Sequence, residues 1–223
     1  MGGGPQGVIF DLDGTLLDTL DDLRFSLEAA LEKRGLGRKF SREEFKGMVG
    51  NGMTALVRRG LPADMAGDEG LVASVRVGFK DVYARELTRR TVPYEGVEDL
   101  LSGLAGLGAS LGVLSNKDED DVGLLMDHFF PGRFPRRLGA KPGRPVKPDP
   151  AGGLELAALM GLEPAGIVYL GDSEVDMRTA KNCGFLAVGV SWGFRGAEVL
   201  KESGADRVIG SPREFWSVLP DAK

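Results

Sequence analysis

The segment that most constrains this chain is a run of apolar residues that leads directly into two acids. Residues Val8–Thr15 read VIFDLDGT. A continuous apolar run predicts a strand that is buried on both faces of a sheet. Asp11 and Asp13 then follow at the carboxyl end of that strand, where open α/β sheets bind their ligands. Because two unpaired acids at the border of a core cost free energy, this pair indicates a bound cation and a chemical reaction.

Apolar strand candidates alternate with helical patterns through most of the chain. This alternation predicts an α/β fold with a doubly wound, mainly parallel sheet. Near the end, Ser211-Pro-Arg-Glu214 combines a capping residue, a proline at the first helical position and an acid at the third, which predicts the start of a last helix. The strand candidates are Gly7–Phe10, Ser110–Leu114, Ile167–Leu170, Leu186–Val190 and Arg207–Ile209.

One stretch breaks this alternation and reads as successive helices without a convincing strand. An apolar stripe at helical spacing begins at Leu20, and a long helical pattern follows from Val72. We therefore predict two domains. Residues 1–17 and 92–223 form the α/β core, and residues 18–91 form an inserted helical domain.

Composition excludes several classes of site. The 223 residues include one histidine, His128, and one cysteine, Cys183. Histidine-rich metal sites, serine–histidine hydrolysis and an internal disulfide are therefore not expected, so any catalysis must use carboxylates and lysine. The single cysteine fits a reducing compartment, and we recognise neither a signal peptide nor an apolar run of the ~18 residues that cross a membrane. We expect a cytoplasmic protein with no nucleic-acid or membrane partner.

Further polar residues follow the other predicted strands or precede helices. Ser115 and Asn116 end a buried strand, and Lys147 lies in VKPDP directly before a helix start. Asp172 ends another apolar strand, and Asp176 follows four residues later, which places both acids on one face if a helix begins there. Since parallel strands end at a common edge, we expect these side chains to converge.

In order and spacing, these segments resemble the four motifs of the haloacid dehalogenase superfamily, most of whose members are phosphatases. The resemblance implies that Asp11 attacks phosphorus and that Asp13 is the general acid and base. It implies that Ser115 and Lys147 stabilise the charge on the phosphoryl oxygens. It also implies that the helical insertion is a mobile cap over the active site.

The same resemblance implies an Mg²⁺ cofactor. Its ligands would be the Asp11 and Asp172 side chains and the Asp13 backbone carbonyl, with Asp176 binding a metal-bound water or orienting the site. The implied substrate-binding residues of the core are Gly14, Thr15 and Asn116.

Two further segments resemble phosphoglycolate phosphatases, namely Gly50-Asn-Gly52 before a short helix and the triplet Ser115-Asn-Lys117. This likeness implies a small phosphorylated metabolite as partner, with 2-phosphoglycolate as the expected substrate. Its carboxylate would meet loop N–H groups at Asn51 and the side chain of Arg58. Two alternatives remain at this point: a β-phosphoglucomutase-like phosphotransferase, and a receiver-like signalling module. Oligomeric state is open.

Overall fold

A computed structural model describes residues 5–218. The first four and last five residues of the predicted core lie outside it. The strands, in chain order, are β1 (Gly7–Phe10), β2 (Leu17–Asp18), β3 (Val92–Pro93), β4 (Ser110–Asp118), β5 (Arg136–Ala140), β6 (Ile167–Gly171), β7 (Leu186–Val190) and β8 (Arg207–Ile209).

Six of these strands form one sheet in the order β5-β4-β1-β6-β7-β8. Each neighbouring pair is parallel. The chain moves outward from β1 through β4 and β5, and then returns to the other side of β1 for β6, β7 and β8. This confirms the predicted α/β, doubly wound, mainly parallel fold, in which the change of direction at β1 creates a ligand-binding crevice at the carboxyl ends.

Helices cover both faces of the sheet. The α-helices of the described chain are α1 (Leu20–Glu32), α2 (Arg42–Lys46), α3 (Gly52–Gly60), α4 (Glu69–Glu86), α5 (Val97–Gly106), α6 (Glu119–Phe129), α7 (Ala151–Met160), α8 (Glu174–Cys183) and α9 (Ala197–Glu202). The apolar run of β1 is continuous because both faces of this strand are buried. Val8 and Phe10 pack into one hydrophobic cluster, and Ile9 packs into another. None of the helices within residues 5–218 is both long enough and apolar enough to cross a bilayer.

Helices α1 to α4 follow one another between β2 and β3, in the stretch that the sequence pattern predicts to be helical. Strands β2 and β3 pair in antiparallel fashion, with Leu17 opposite Pro93 and Asp18 opposite Val92. The helical segment is therefore entered and left through one short two-stranded ribbon. Within the segment, α1 packs along α4.

Several elements differ from the sequence prediction, and strands β2 and β3 are too short to be predicted. Strand β4 runs to Asp118 rather than ending at Leu114, and its register shifts between these two residues. Strand β5 is not predicted, because its paired arginines, Arg136 and Arg137, interrupt the apolar pattern at an edge of the sheet. The predicted last helix is a 3₁₀ helix over Pro212–Ser217.

Candidate active site

The carboxyl edge of the sheet brings together the acids that the sequence predicts. Asp11 follows β1, and its backbone N–H donates to the Leu170 carbonyl at 2.8 Å, which continues the hydrogen-bond ladder toward β6. Asp172 follows β6, and Asp176 lies in the first turn of α8. All three carboxylates are buried, and each offers an oxygen within 4.8 Å of the others.

Lys147 lies against this acidic cluster. Its Nζ donates to Asp11 Oδ1 at 2.8 Å, to Asp176 Oδ1 at 2.7 Å and to Tyr169 Oη at 3.1 Å. The loop that carries Lys147 is held by Asn116, whose Oδ1 accepts from the Lys147 backbone N–H at 2.8 Å and whose Nδ2 donates to the Lys147 carbonyl at 3.1 Å. The side chain of Asn116, a predicted substrate-binding residue, therefore fixes the position of the lysine.

Asp176 is fully engaged by protein donors. Its Oδ1 accepts from Lys147 and Tyr169, and its Oδ2 accepts the backbone N–H and the hydroxyl of Ser173. Asp176 and Ser173 form a capping box that starts α8. Asp172 precedes this helix and accepts the Phe194 N–H through Oδ2 at 2.6 Å. Asp172 therefore has an oxygen available as a metal ligand, whereas both oxygens of Asp176 are already hydrogen-bonded.

The electrostatics of the cluster are unbalanced in favour of negative charge. Burial and the charge of Asp176 raise the pKa of Asp11 to about 7. Burial and the charges of Asp176 and Asp11 raise the pKa of Asp172 well above its ordinary value. Burial lowers the pKa of Lys147, but the two neighbouring carboxylates outweigh it and hold that pKa well above the ordinary value.

Three buried carboxylates against one buried ammonium fit a divalent cation. Mg²⁺ prefers oxygen ligands and is commonly bound by one or two carboxylates together with substrate phosphate. Asp11 Oδ2 and Asp172 Oδ1 accept no hydrogen bond from any residue in the described chain. These two oxygens are the available ligands of the cluster, whereas Asp176 orients Lys147 and the start of α8.

Asp13 lies on the same edge of the sheet with a separate set of partners. Its Oδ1 accepts from Thr19 Oγ1 at 2.5 Å and lies 3.1 Å from Lys117 Nζ. Lys117 also donates to Tyr83 Oη at 2.9 Å, and its backbone N–H donates to Ser115 Oγ at 3.2 Å. Burial lowers the pKa of Lys117, but the Asp13 carboxylate and Tyr83 outweigh it, so that the pKa lies above its ordinary value.

Gly14 and Thr15, the predicted substrate-binding residues after Asp13, have the following contacts in the structure. The Gly14 N–H donates to the Leu17 carbonyl at 2.9 Å and is therefore not free for a phosphoryl oxygen. Gly14 has φ +87°, and a Cβ there would lie 2.1 Å from Asp172 Oδ2, so glycine permits the acid to approach the loop. The Thr15 hydroxyl is buried and has no hydrogen-bond partner within residues 5–218.

A cleft separates this edge of the sheet from the helical segment. The helical wall is largely apolar, and Gly50 and Gly52 lie beside it at the start of α3. Residues that line the cleft are Asp11, Asp13, Leu23, Val49, Gly50, Gly52, Met53, Leu56, Phe79, Tyr83, Ser115, Asn116, Lys117, Asp118, Asp121, Lys147, Asp172, Ser173, Phe194 and Arg195.

The structure does not bring two predicted substrate residues to this cleft. Arg58 donates to Glu69 at 2.6 Å and to the Ala66 carbonyl at 3.0 Å, within the helical segment. The Asn51 side chain accepts from Arg59 at 2.8 Å. Only the backbone of the predicted Gly50-Asn-Gly52 loop, through its two glycines, borders the cleft.

The sequence does not predict three functional candidates, namely Lys117, Tyr83 and Arg195. Arg195 donates to the carbonyls of Lys46 at 2.6 Å and Val49 at 3.0 Å, and so connects the loop after β7 to the helical segment. The triplet that contains Lys117 carries part of the family resemblance, but that resemblance gives the lysine no role. Nothing local in the sequence identifies Tyr83, because its pattern fits an ordinary buried helix position.

Comparison with known proteins gives one consistent result. A family model described as haloacid dehalogenase-like hydrolase matches residues 8–190. Proteins named phosphoglycolate phosphatase are 35% identical over 216 residues in Pseudomonas putida, covering 94% of this chain and 78% of the relative, and 34% identical over 224 residues in Neisseria meningitidis serogroup A, covering 98% and 95%. A crystal structure from Lactobacillus delbrueckii subsp. bulgaricus superimposes with a TM-score of 0.87 at 32% identity, covering 96% of this chain and 97% of that one.

Proposed function

We propose that this chain, which belongs to the haloacid dehalogenase-like hydrolase family as one of its phosphatases, hydrolyses 2-phosphoglycolate with Mg²⁺ through a phosphorylated Asp11. The observation that carries the proposed chemistry is the buried Asp11 carboxylate, which lies in a cleft beside Lys147, with Asp13 two residues further along the same loop. The names of the relatives support the choice of substrate.

Asp11 and Asp172 would hold the metal through their free oxygens, together with the Asp13 backbone carbonyl. When bound, Mg²⁺ would neutralise the carboxylates and the substrate phosphate, which lowers their mutual repulsion. Lys147 would supply a second positive charge next to the substrate phosphate. Because Asn116 holds the backbone of this lysine and Asp176 accepts from its ammonium, the ammonium is positioned for the developing charge on the phosphoryl oxygens without further reorganisation.

The reaction divides into two displacements at phosphorus. Asp11 attacks in line through the carboxylate oxygen that does not hold the metal. A bond forms between that oxygen and phosphorus, and the bond between phosphorus and the substrate alkoxide breaks. Asp13 gives a proton to the leaving alkoxide. Asp13 then takes a proton from water as that water attacks the aspartyl-phosphate, which releases inorganic phosphate and restores the Asp11 carboxylate. Ser115, at the end of the regular part of β4, donates to a phosphoryl oxygen in both steps.

The helical segment of residues 18–91 acts as a cap in this proposal. It is joined to the core through the β2–β3 ribbon, and its apolar wall excludes water from the reacting atoms when the cleft is closed. The N–H groups of the Gly50–Gly52 loop, at the start of α3, would meet the substrate carboxylate.

Phosphate release from 2-phosphoglycolate and from para-nitrophenyl phosphate tests the substrate. We expect kcat/KM to favour 2-phosphoglycolate by more than about tenfold, because a second anionic group gains charge-assisted hydrogen bonds.

Activity should disappear with EDTA and return with Mg²⁺. Asp11→Asn should lower kcat by at least about 10³-fold, as expected for loss of a nucleophile.

If the protein hydrolyses para-nitrophenyl phosphate but not 2-phosphoglycolate, the proposed substrate is wrong and the proposed phosphatase chemistry still stands. Phosphate transfer to a sugar instead of water would identify the phosphotransferase alternative. Equal rates with EDTA and Mg²⁺ would contradict the role of Asp172.

A further inference from the structure

The position of Lys117 is unusual for a lysine next to an active site. It lies in the irregular part of β4, directly before Asp118, where the register of the strand shifts. Its side chain is only 6% exposed, although a lysine ammonium is normally solvated. Since burial of a charge requires compensation, the partners of Lys117 indicate what keeps it there.

The partners of Lys117 belong to both sides of the cleft. The Nζ atom lies 3.1 Å from Asp13 Oδ1 on the core side. On the side of the helical segment it donates to Tyr83 Oη at 2.9 Å and lies 4.7 Å from the centre of the Tyr83 ring. Tyr83 is fully buried on α4 and stacks on Phe79 with ring centroids 5.4 Å apart. A rigid aromatic side chain therefore holds the ammonium against Asp13.

The two donors that contact the Asp13 carboxylate both use the same oxygen. Oδ1 accepts from Thr19 Oγ1 at 2.5 Å and faces Lys117 Nζ at 3.1 Å. No described residue donates to Oδ2. Asp13 itself lines the cleft. The contacts thus distinguish the two oxygens, since Oδ1 is fixed and Oδ2 is left to exchange protons.

We propose that Lys117, held by Tyr83, is a positioning residue for Asp13, which fixes Oδ1 so that Oδ2 faces the leaving oxygen and then the attacking water. This inference rests on the proposed role of Asp13 as general acid and base. It adds that the helical segment takes part in the chemistry through Tyr83, because α4 orients the carboxylate only when it lies against the core. Lys117 itself does not contact the substrate.

A double-mutant cycle tests this inference with para-nitrophenyl phosphate and Mg²⁺, a reaction that does not depend on the identity of the natural substrate. Lys117→Met keeps the aliphatic side chain and removes the charge. We expect kcat to fall about 30-fold or more while KM changes less than about threefold, since a positioned general base contributes about 10²–10⁴-fold. In an Asp13→Asn background, the same substitution should lower kcat by less than about twofold, because residues that act through one another are not additive.

Lys80→Met is the matched control. Lys80 lies on the same helix as Tyr83 and forms an ion pair with Asp118, next to Lys117, without reaching Asp13. Its substitution should leave kcat within about twofold of the wild type, as expected for an exposed ion pair. If Lys80→Met lowers kcat as much as Lys117→Met does, loss of any contact between α4 and the core explains the effect. That result would overturn the positioning role of Lys117.

Two further outcomes would overturn the proposal. If Lys117→Met is as active as the wild type, the lysine positions nothing. If its loss is additive with that of Asp13→Asn, or appears mainly in KM, the lysine contacts the substrate directly. If circular dichroism shows that Lys117→Met does not fold, Tyr83→Phe takes its place in the same cycle. A loss of kcat that is additive with that of Asp13→Asn would then contradict the proposal equally. A wild-type protein without phosphatase activity would instead refute the proposed function.

Discussion

At the scale of single residues, the site depends on close approaches that particular side chains permit. Gly14 is the clearest case, because Asp172 occupies the space that a Cβ would need. Asp176 illustrates the opposite situation, in which every oxygen of a buried acid is used to hold a neighbour. Local sequence predicts that these acids lie at strand ends, since that requires only an apolar run and a spacing. It cannot predict which acid is free and which is saturated.

Gly14→Ala should separate the cost of backbone strain from damage to the metal site. A non-glycine residue in the left-handed region costs about 1–2 kcal/mol of unfolding free energy. The clash with Asp172 should in addition abolish the rise in Tm that Mg²⁺ gives to the wild type. Thermal unfolding with and without Mg²⁺ measures both effects.

Gly35→Ala is the control for this experiment. Gly35 has φ +70°, but no atom lies within 4 Å of the position of its Cβ. This variant should have a similar loss of unfolding free energy and should keep the full Mg²⁺ response. If both variants retain that response, Asp172 does not need the space above Gly14.

At the scale of elements, the sequence pattern locates most strands but not their functional ends. The core of β4 is predicted to end at Leu114, because the apolar run stops there, whereas the paired strand continues to Asp118 and carries Ser115 and Lys117. Bulges of this kind redirect side chains next to active sites, and they depend on the partner strand rather than on local composition. The contact of Arg195 with the helical segment is likewise tertiary and has no local signal.

Arg195 and Arg58 give opposite expectations for substrate binding. Arg195→Ala removes hydrogen bonds from the core to the end of α2 and to the loop before α3. Because a hydrogen bond from a charged group contributes about 1.5 kcal/mol or more, KM for para-nitrophenyl phosphate should rise about tenfold. Arg58→Ala should leave KM within about twofold, since this arginine is paired with Glu69 away from the cleft. Steady-state kinetics on both variants would contradict this account if Arg58 alone affected KM.

At the scale of the whole molecule, the site is assembled from segments that lie far apart in the chain. Asp11, Ser115 and Asp172 meet because strands β1, β4 and β6 are neighbours in one parallel sheet, and Asn116 holds the loop of Lys147 beside them. The order of apolar strands therefore suffices to predict the fold and the convergence of these residues. The far wall of the cleft follows from how α1, α3 and α4 pack, which the sequence pattern predicts to be helical without fixing which faces meet the core. For this reason the sequence predicts the site residues of the core but does not predict Tyr83.

Asp11 is the proposed nucleophile, and every other proposed role in the site depends on it. Acid quenching during turnover of para-nitrophenyl phosphate, followed by borohydride reduction and peptide mass mapping, measures this directly. Asp13→Asn should help the intermediate to accumulate, since hydrolysis of the acyl phosphate then lacks its general base. We predict one phosphoryl group at Asp11 in this variant and none in Asp11→Asn. Phosphate found on another residue, or turnover by Asp11→Asn at the wild-type rate, would contradict the account.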